Sequence, residues 1–142
     1  MNVVITGASN GIGYQAGLAL AAAGNTVFAL SRDYEKLEAL KEEAVRRGAT
    51  GAVIPVRADL ADAGSVSRAL DTISSQVRSI EVLVNNAGKL TNKSFASLTM
   101  QEWKEVYEVN VFGTVEITRQ LLPLLKAGAP AHIVNISSMG GV

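Results

Sequence analysis

The sequence has no cysteine, which excludes a disulfide framework and a thiolate active site and favours a reducing, cytoplasmic compartment. Its single histidine, with no cysteine beside it, argues against a transition-metal site. Lys and Arg together number 13, as do Asp and Glu, so no excess charge draws the chain to nucleic acid or an anionic membrane. No apolar run approaches the ~20 residues of a membrane-spanning helix, and we expect no signal peptide because the sequence opens directly on a strand pattern.

Short apolar runs alternate with amphipathic helical patterns along the chain. The runs predict five strands, at residues 3–5, 26–31, 52–56, 80–84 and 131–136. Strands joined by helical crossovers require a parallel sheet with helices on both faces. We therefore predict one α/β domain over residues 1–142, a doubly wound parallel sheet of order 3-2-1-4-5. Pro55 places the third strand at an edge, because proline cannot donate to a neighbouring strand.

The helical patterns also predict which side chains are buried. The expected apolar positions are Ile12, Ala16, Ala19, Leu20 and Ala23 in the first helix and Leu37, Leu40, Ala44 and Val45 in the second. Asp33 and Asp62 are predicted N-caps. Thr99 and Glu102 have the spacing of a capping box, which would begin a long helix through Lys126, bent at Pro123.

A glycine-rich turn separates the first strand from the first helix. It reads TGASNGIG, with glycines at positions 7, 11 and 13. Glycine lets a backbone turn tightly and approach a ligand, and a helix N-terminus offers unpaired N–H groups to an anion. The turn therefore predicts a diphosphate site, although three glycines alone also fit a simple strand–helix connection.

Small and polar residues follow the end of every predicted strand. In a parallel α/β sheet, ligands bind beyond the carboxyl ends of the strands. After the glycine turn of the first strand come Ser31-Arg32-Asp33, Ala58-Asp59-Leu60, Asn85-Asn86-Ala87-Gly88 and Ser137-Ser138. All these groups are expected along one rim of the sheet.

These motifs resemble those of the short-chain dehydrogenase/reductase family, including its 3-oxoacyl-reductase members. The resemblance runs from Asn2 to Val142 through TGASNGIG, Asp59-Leu60, NNAG, Asn110 in VYEVNVFG, and IVNISS. It implies a Rossmann-type dinucleotide-binding domain that forms the N-terminal part of a longer single-domain enzyme. The residues it assigns to the cofactor are Gly7, Ser9, Asn10, Gly11, Ile12, Gly13, Arg32, Asp59, Leu60, Asn86, Ala87 and Gly88. Asn85 is expected to brace neighbouring strands instead.

The end of the second strand predicts which cofactor binds. An NAD site of this fold usually has an acidic residue there, about 20 residues past the glycines, to bind the ribose 2′-hydroxyl. Here Ser31 is neutral, and Arg32 beside it suits a 2′-phosphate. We therefore predict NADP(H) rather than NAD(H). Asp33 could instead reach a ribose hydroxyl, and Asn10 stands where many NADP-using relatives have a basic residue.

For catalysis, the resemblance implies hydride transfer between nicotinamide and a ketone or secondary alcohol, with serine, tyrosine, lysine and asparagine taking part. Ser138 matches the serine, with Ser137 as the alternative, and Asn110 matches the asparagine. The Tyr-x-x-x-Lys pair does not occur, since Leu18, Glu38 and Val111 stand four residues after the three tyrosines. We expect that pair beyond Val142. The alternative is a dinucleotide-binding module without turnover.

By analogy with relatives, residues 99–126 are expected to form a homodimer or homotetramer interface. The expected partner is a small carbonyl or alcohol substrate.

Overall fold

The computed structural model describes residues 1–138 and contains a five-stranded, fully parallel sheet. The strands are β1 (Asn2–Thr6), β2 (Thr26–Ser31), β3 (Ala52–Arg57), β4 (Val82–Asn85) and β5 (His132–Asn135). Their order is β3-β2-β1-β4-β5, so the predicted topology is confirmed. β3 pairs only with β2, which confirms the edge position indicated by Pro55.

The connections between the strands are helical. They contain α1 (Gly11–Ala22), α2 (Tyr34–Arg46), α3 (Ala63–Gln76), α4 (Met100–Tyr107) and α5 (Thr114–Ala127), with a short 3-10 turn at Phe95–Ser97. Asp33 caps α2 by accepting from the Lys36 N–H, and Asp62 caps α3 by accepting from Gly64. The predicted capping box of Thr99 and Glu102 is present at the start of α4.

The predicted long helix is interrupted by a π-helical segment, Glu108–Gly113, between α4 and α5. Pro123 lies inside α5 as expected. At Gly113 an added Cβ would lie 2.7 Å from both the Cβ and the carbonyl oxygen of Leu60. This close approach requires glycine and brings the π segment against the chain that follows β3.

Alternate residues of the strands enter two cores, one on each face of the sheet. Val3, Ile5, Val27 and Ala29 pack with buried residues of α1 and α2. Val4, Phe28, Leu30 and Leu83 pack on the opposite face with buried residues of α3 and α5. Burial on both faces explains the continuous apolar runs of β1 and β2. Among residues 1–138, no helix is long and apolar enough to cross a bilayer.

Two predicted helix faces need correction. α1 buries Gly13, Gly17, Leu18 and Ala21. Of the predicted set, Ala16 and Leu20 are half-buried against this core, whereas Ala19 and Ala23 are exposed. The small residues let α1 pack closely against α2, since an added Cβ at Gly17 would lie 3.2 Å from Leu40 Cδ2. Ile12, predicted to be buried, is 64% exposed and lies at the cavity described below. In α2, Leu37, Leu40 and Ala44 are buried as expected, whereas Val45 is 73% exposed.

Candidate dinucleotide site at the carboxyl ends of the strands

The carboxyl ends of the central strands border a cavity of about 480 Å³. This volume falls within the usual range for a small-molecule or cofactor site. Its wall contains eleven of the twelve residues that the sequence assigns to the cofactor, all except Gly13. The remaining wall residues are Thr6, Leu30, Ser31, Ala58, Lys89, Leu90 and Val109.

The turn after β1 depends on two glycines with positive φ. Gly7 has φ +67°, and an added Cβ there would lie 2.7 Å from the Cα of Ala87. Gly11 has φ +55°, and an added Cβ there would have no heavy atom within 4 Å. The left-handed backbone conformation explains why both positions have glycine, and at Gly7 close packing also leaves no room for a Cβ. The open space at Gly11 lies at the start of α1, where N–H groups are available to an anion.

Gly13 has a structural role beneath this turn. An added Cβ would lie 2.4 Å from Asn86 Nδ2 and 2.5 Å from the carbonyl oxygen of Gly7. Gly13 is buried and is absent from the cavity wall, although the sequence assigned it to the cofactor. It allows α1 to begin directly against the backbone of the turn.

Two polar side chains join the ends of β1 and β4. The hydroxyl of Thr6, only 1% exposed, accepts hydrogen bonds from the backbone N–H groups of Asn86 and Ala87, both at 3.0 Å. Asn86 Nδ2 donates to the carbonyl oxygens of Thr6 and Gly7, both at 3.1 Å. Sequence reasoning missed Thr6. Its position directly after an apolar strand was the available signal, since a hydroxyl buried there must find a partner.

Asn85 braces the sheet, as predicted, and is not in the cavity wall. Its Nδ2 donates to Asn135 Oδ1 at 2.9 Å and to Thr118 Oγ1 at 3.2 Å. These bonds join β4 to β5 and to α5. They form where the two strands end together, because Asn85 and Asn135 are register partners.

Two charged residues follow β2, and they have different roles: Asp33 caps α2, and Arg32 lines the cavity. Asp33 donates its backbone N–H to Ser31 Oγ at 3.2 Å, while its carboxylate accepts from the Lys36 N–H at 3.2 Å and forms an ion pair with Lys36 Nζ at 3.3 Å. The hydrogen bond from the Lys36 N–H lowers the pKa of the Asp33 carboxyl group. Asp33 is therefore the helix cap, and Arg32 is the charged residue of this corner that lines the cavity.

Beyond β3, Asp59 also lines the cavity and shapes its own turn. Its Oδ1 accepts from the Ala61 N–H at 3.0 Å, and its backbone N–H donates to Ser65 Oγ at 2.9 Å. Leu60 is buried beside it. Asp59 therefore has a structural role in the loop and presents an acceptor at the cavity wall, which suits an exocyclic amine.

The side-chain amide of Asn110 holds the loop that follows β4. Its Oδ1 accepts from the Lys89 N–H at 2.7 Å, and its Nδ2 donates to the Lys89 carbonyl oxygen at 2.9 Å. Lys89 Nζ forms an ion pair with Glu105 at 2.5 Å, and this interaction lowers the pKa of the Glu105 carboxyl group. Asn110 lies outside the cavity wall, but the residue it holds, Lys89, lies within it.

The two candidate serines follow β5. Ser138 is exposed and is not among the cavity-lining residues, so the structure does not bring it together with the cofactor residues. His132 begins β5 at the opposite end of the strand and is exposed. No group of three or more His, Asp or Glu side chains in residues 1–138 is arranged to hold a metal ion.

Comparison with known proteins agrees with this geometry. The family model described as short chain dehydrogenase matches residues 1–142. The chain is 33% identical to a Pseudomonas aeruginosa rhamnolipids biosynthesis 3-oxoacyl-[acyl-carrier-protein] reductase, covering 98% of this chain and 55% of that protein. It is 34% identical to the 3-oxoacyl-[acyl-carrier-protein] reductase FabG of Aquifex aeolicus, covering 97% and 55%. The chain thus spans about half the length of these curated relatives.

Solved structures show the same similarity. A 3-ketoacyl-ACP reductase from Sinorhizobium meliloti superposes with a TM-score of 0.90 at 34% identity, covering 100% of this chain and 55% of that one. The Pseudomonas aeruginosa RhlG/NADP active-site complex superposes with a TM-score of 0.88 at 32% identity, covering 99% and 56%. The parallel sheet, the glycine turn and these matches together establish that the chain belongs to the short-chain dehydrogenase/reductase family.

Proposed function

We propose that the protein is an NADP(H)-dependent oxidoreductase that transfers a hydride between nicotinamide and a ketone or secondary alcohol. The observation that carries this proposal is the cavity at the strand ends, which contains the glycine turn at one side and Arg32 beside neutral Ser31 at another. The 3-oxoacyl-[acyl-carrier-protein] reductases and the NADP complex to which the chain is similar support the same function.

The residues present fit a dinucleotide. The open backbone at Gly11 and the start of α1 would hold the diphosphate, and Asp59 would accept from the adenine amino group. Arg32 would bind the 2′-phosphate, and Ser31 removes the repulsion that an acidic residue would cause. When bound, the cofactor would supply or accept the hydride.

On the nicotinamide side, the protein contributes positioning. Asn110 fixes the backbone of Lys89 through two hydrogen bonds, so the loop after Gly88 has a defined path beside the cavity. We assign Asn110 this role and assign the Ser138 hydroxyl the role of holding the substrate oxygen. Both assignments also rest on the family motifs.

We also propose self-association through α4, the π segment and α5. Met100, Phe112 and Val115 are 70%, 56% and 58% exposed, so this face presents apolar area that a second copy would cover. The molar mass in solution, measured by light scattering, tests this. A monomer at high concentration would contradict it.

The cofactor proposal is tested by measuring dissociation constants for NADPH and NADH. We expect NADPH to bind more tightly than NADH. Arg32→Ala should weaken NADPH binding by roughly tenfold or more, because a charge-assisted bond to phosphate is lost, and should leave NADH binding nearly unchanged. Arg78→Ala is the matched control, since Arg78 is an exposed arginine at the amino end of the sheet. Unchanged NADPH affinity in Arg32→Ala would refute the assignment.

Turnover is tested separately with NADPH and a 3-oxoacyl thioester. Loss of reduced-nicotinamide absorbance would support the oxidoreductase, and Ser138→Ala should then greatly lower kcat. Tight NADPH binding with no turnover of any ketone or alcohol would instead support the dinucleotide-binding module.

A further inference from the structure

We propose that Arg57, at the end of β3, is a second cation for the 2′-phosphate and acts together with Arg32. The inference rests on the NADP(H) preference proposed above. It adds a specificity residue from a neighbouring strand, outside the glycine turn and outside the loop that follows β2. Three observations carry it: the register of β2 with β3, the face on which Arg57 lies, and the absence of a partner for either guanidinium in residues 1–138.

The register places Arg57 beside the position that selects the cofactor. Arg57 is the register partner of Ser31, and the ladder continues one residue further through the bond from the Ala58 N–H to the Ser31 carbonyl oxygen at 3.0 Å. Neighbouring strands lie about 4.8 Å apart. Ser31 occupies the place at which an NAD-binding domain has its acidic residue for the ribose 2′-hydroxyl. The chain therefore has a neutral residue at that place and an arginine directly across from it.

Arg57 and Ser31 also lie on the same face of the sheet. Successive strand residues alternate between faces, and register partners share one. Val27, Ala29 and Val53 belong to the core packed by α1 and α2, so two-residue steps place Ser31 and Arg57 on that side. The loop from β2 into α2 runs over this same corner, where Asp33 donates to Ser31 Oγ. Arg32 follows Ser31 in the chain and Arg57 is its register partner, so both arginines adjoin Ser31.

Both guanidinium groups are available to an anion. Arg32 and Arg57 have no hydrogen-bond or ion-pair partner for their side chains in residues 1–138. Of the carboxylates near the strand ends, Asp33 pairs with Lys36, Asp62 pairs with Arg68, and Asp59 accepts from the Ala61 N–H. Arg57 is exposed, and its neighbours Ala58 and Ser31 lie in the cavity wall. Two unpaired cations at one corner of a chain with balanced charge create a local site for a dianion.

The experiment uses calorimetric titration with two fragments of the cofactor. 2′,5′-ADP carries the phosphate in question, whereas 5′-AMP lacks it, and neither contains nicotinamide. The variants are Arg57→Gln, Arg32→Gln and the double variant, with Arg78→Gln as the control. We expect Arg57→Gln to raise the dissociation constant of 2′,5′-ADP by roughly 3- to 10-fold, because a partly solvated charge-assisted contact is lost. The dissociation constant of 5′-AMP should stay within about twofold of the parent value. Arg78→Gln should change neither ligand.

A second readout uses ionic strength. Removing one phosphate contact should make 2′,5′-ADP affinity less dependent on salt in Arg57→Gln than in the parent. If the parent prefers 2′,5′-ADP and Arg32→Gln abolishes that preference, but Arg57→Gln binds like Arg78→Gln, the inference is wrong and the proposed cofactor stands. If the parent binds both fragments equally, the NADP(H) preference itself is wrong, and the role of Arg57 falls with it. Circular dichroism of each variant verifies the fold.

Discussion

Substituting Gly13 with alanine tests whether the glycine turn is held by packing. The added Cβ would lie 2.4 Å from Asn86 Nδ2 and 2.5 Å from the Gly7 carbonyl oxygen. Asn86 cannot move without losing its two 3.1 Å hydrogen bonds to the carbonyl oxygens of Thr6 and Gly7. The substitution therefore strains backbone on one side and breaks polar contacts on the other.

The magnitude follows from three contributions. Alanine gains about 1 kcal/mol over glycine in a helix. Crowding in a packed region costs about 1–3 kcal/mol, and a polar group left without its partner costs about 1–3 kcal/mol. These contributions sum to a net loss of about 1–5 kcal/mol in the free energy of unfolding. We expect a value near the middle, about 3 kcal/mol, which corresponds to a decrease of about 10 °C in Tm.

Gly17→Ala is the matched control because it changes the same helix one turn later. Its Cβ would meet only the flexible Leu40 side chain, at 3.2 Å from Cδ2, so the helix gain and mild crowding should nearly cancel. Urea unfolding of the parent and both variants provides the comparison. If Gly13→Ala is as stable as Gly17→Ala, the proposed packing of the turn is wrong.

Two further predictions concern polar contacts. Asn110→Ala removes both the acceptor for the Lys89 N–H and the donor to the Lys89 carbonyl oxygen, and should lower the unfolding free energy by about 1–2 kcal/mol, with faster amide exchange at Lys89; unchanged exchange would contradict the proposed contact. Glu81 accepts from the Asn2 N–H at 2.5 Å, and this bond lowers the pKa of its carboxyl group. Its stabilisation is therefore fully present above the unfolded-state pKa and is lost as pH falls through the folded-state value. Glu81→Gln should consequently be less stable than the parent at neutral pH, and this difference should shrink on acidification; a difference that grows in acid would oppose the reasoning.

Much of the fold could be predicted because strand patterns and turn residues are local signals. The alternating pattern gave the parallel sheet and its order, and Pro55 marked the edge strand. Asp33 and Asp62 were recognisable as caps because a short acceptor side chain precedes each helix. The order 3-2-1-4-5 additionally assumed that the first strand is central, and the sheet has it there.

The features that sequence patterns did not predict depend on contacts between segments that are distant in the chain. The buried face of α1 was only partly predicted because glycine carries no hydropathy signal, yet Gly13 and Gly17 are buried at close contacts of this helix. The π segment was not predicted, since its close approach to Leu60 involves residues far apart in sequence. Thr6 was overlooked for the same reason: its hydroxyl bonds form with the loop after β4.

The π segment has a consequence for how this part of the chain can vary. Its wider winding shifts the angular phase of everything that follows, so the residues of α5 that enter the core depend on it. Asn110 and Gly113 both lie within it, one facing Lys89 and the other against Leu60. Deleting a single residue between them would restore ordinary winding and leave Ile117 and Leu121 facing the sheet, because the wide turn accommodates about one extra residue. The deletion would instead change the spacing of Asn110 and Gly113, so that their contacts with Lys89 and Leu60 could not both form. The path of the loop at Lys89 and the close approach at Leu60 are thus linked through the length of the π segment.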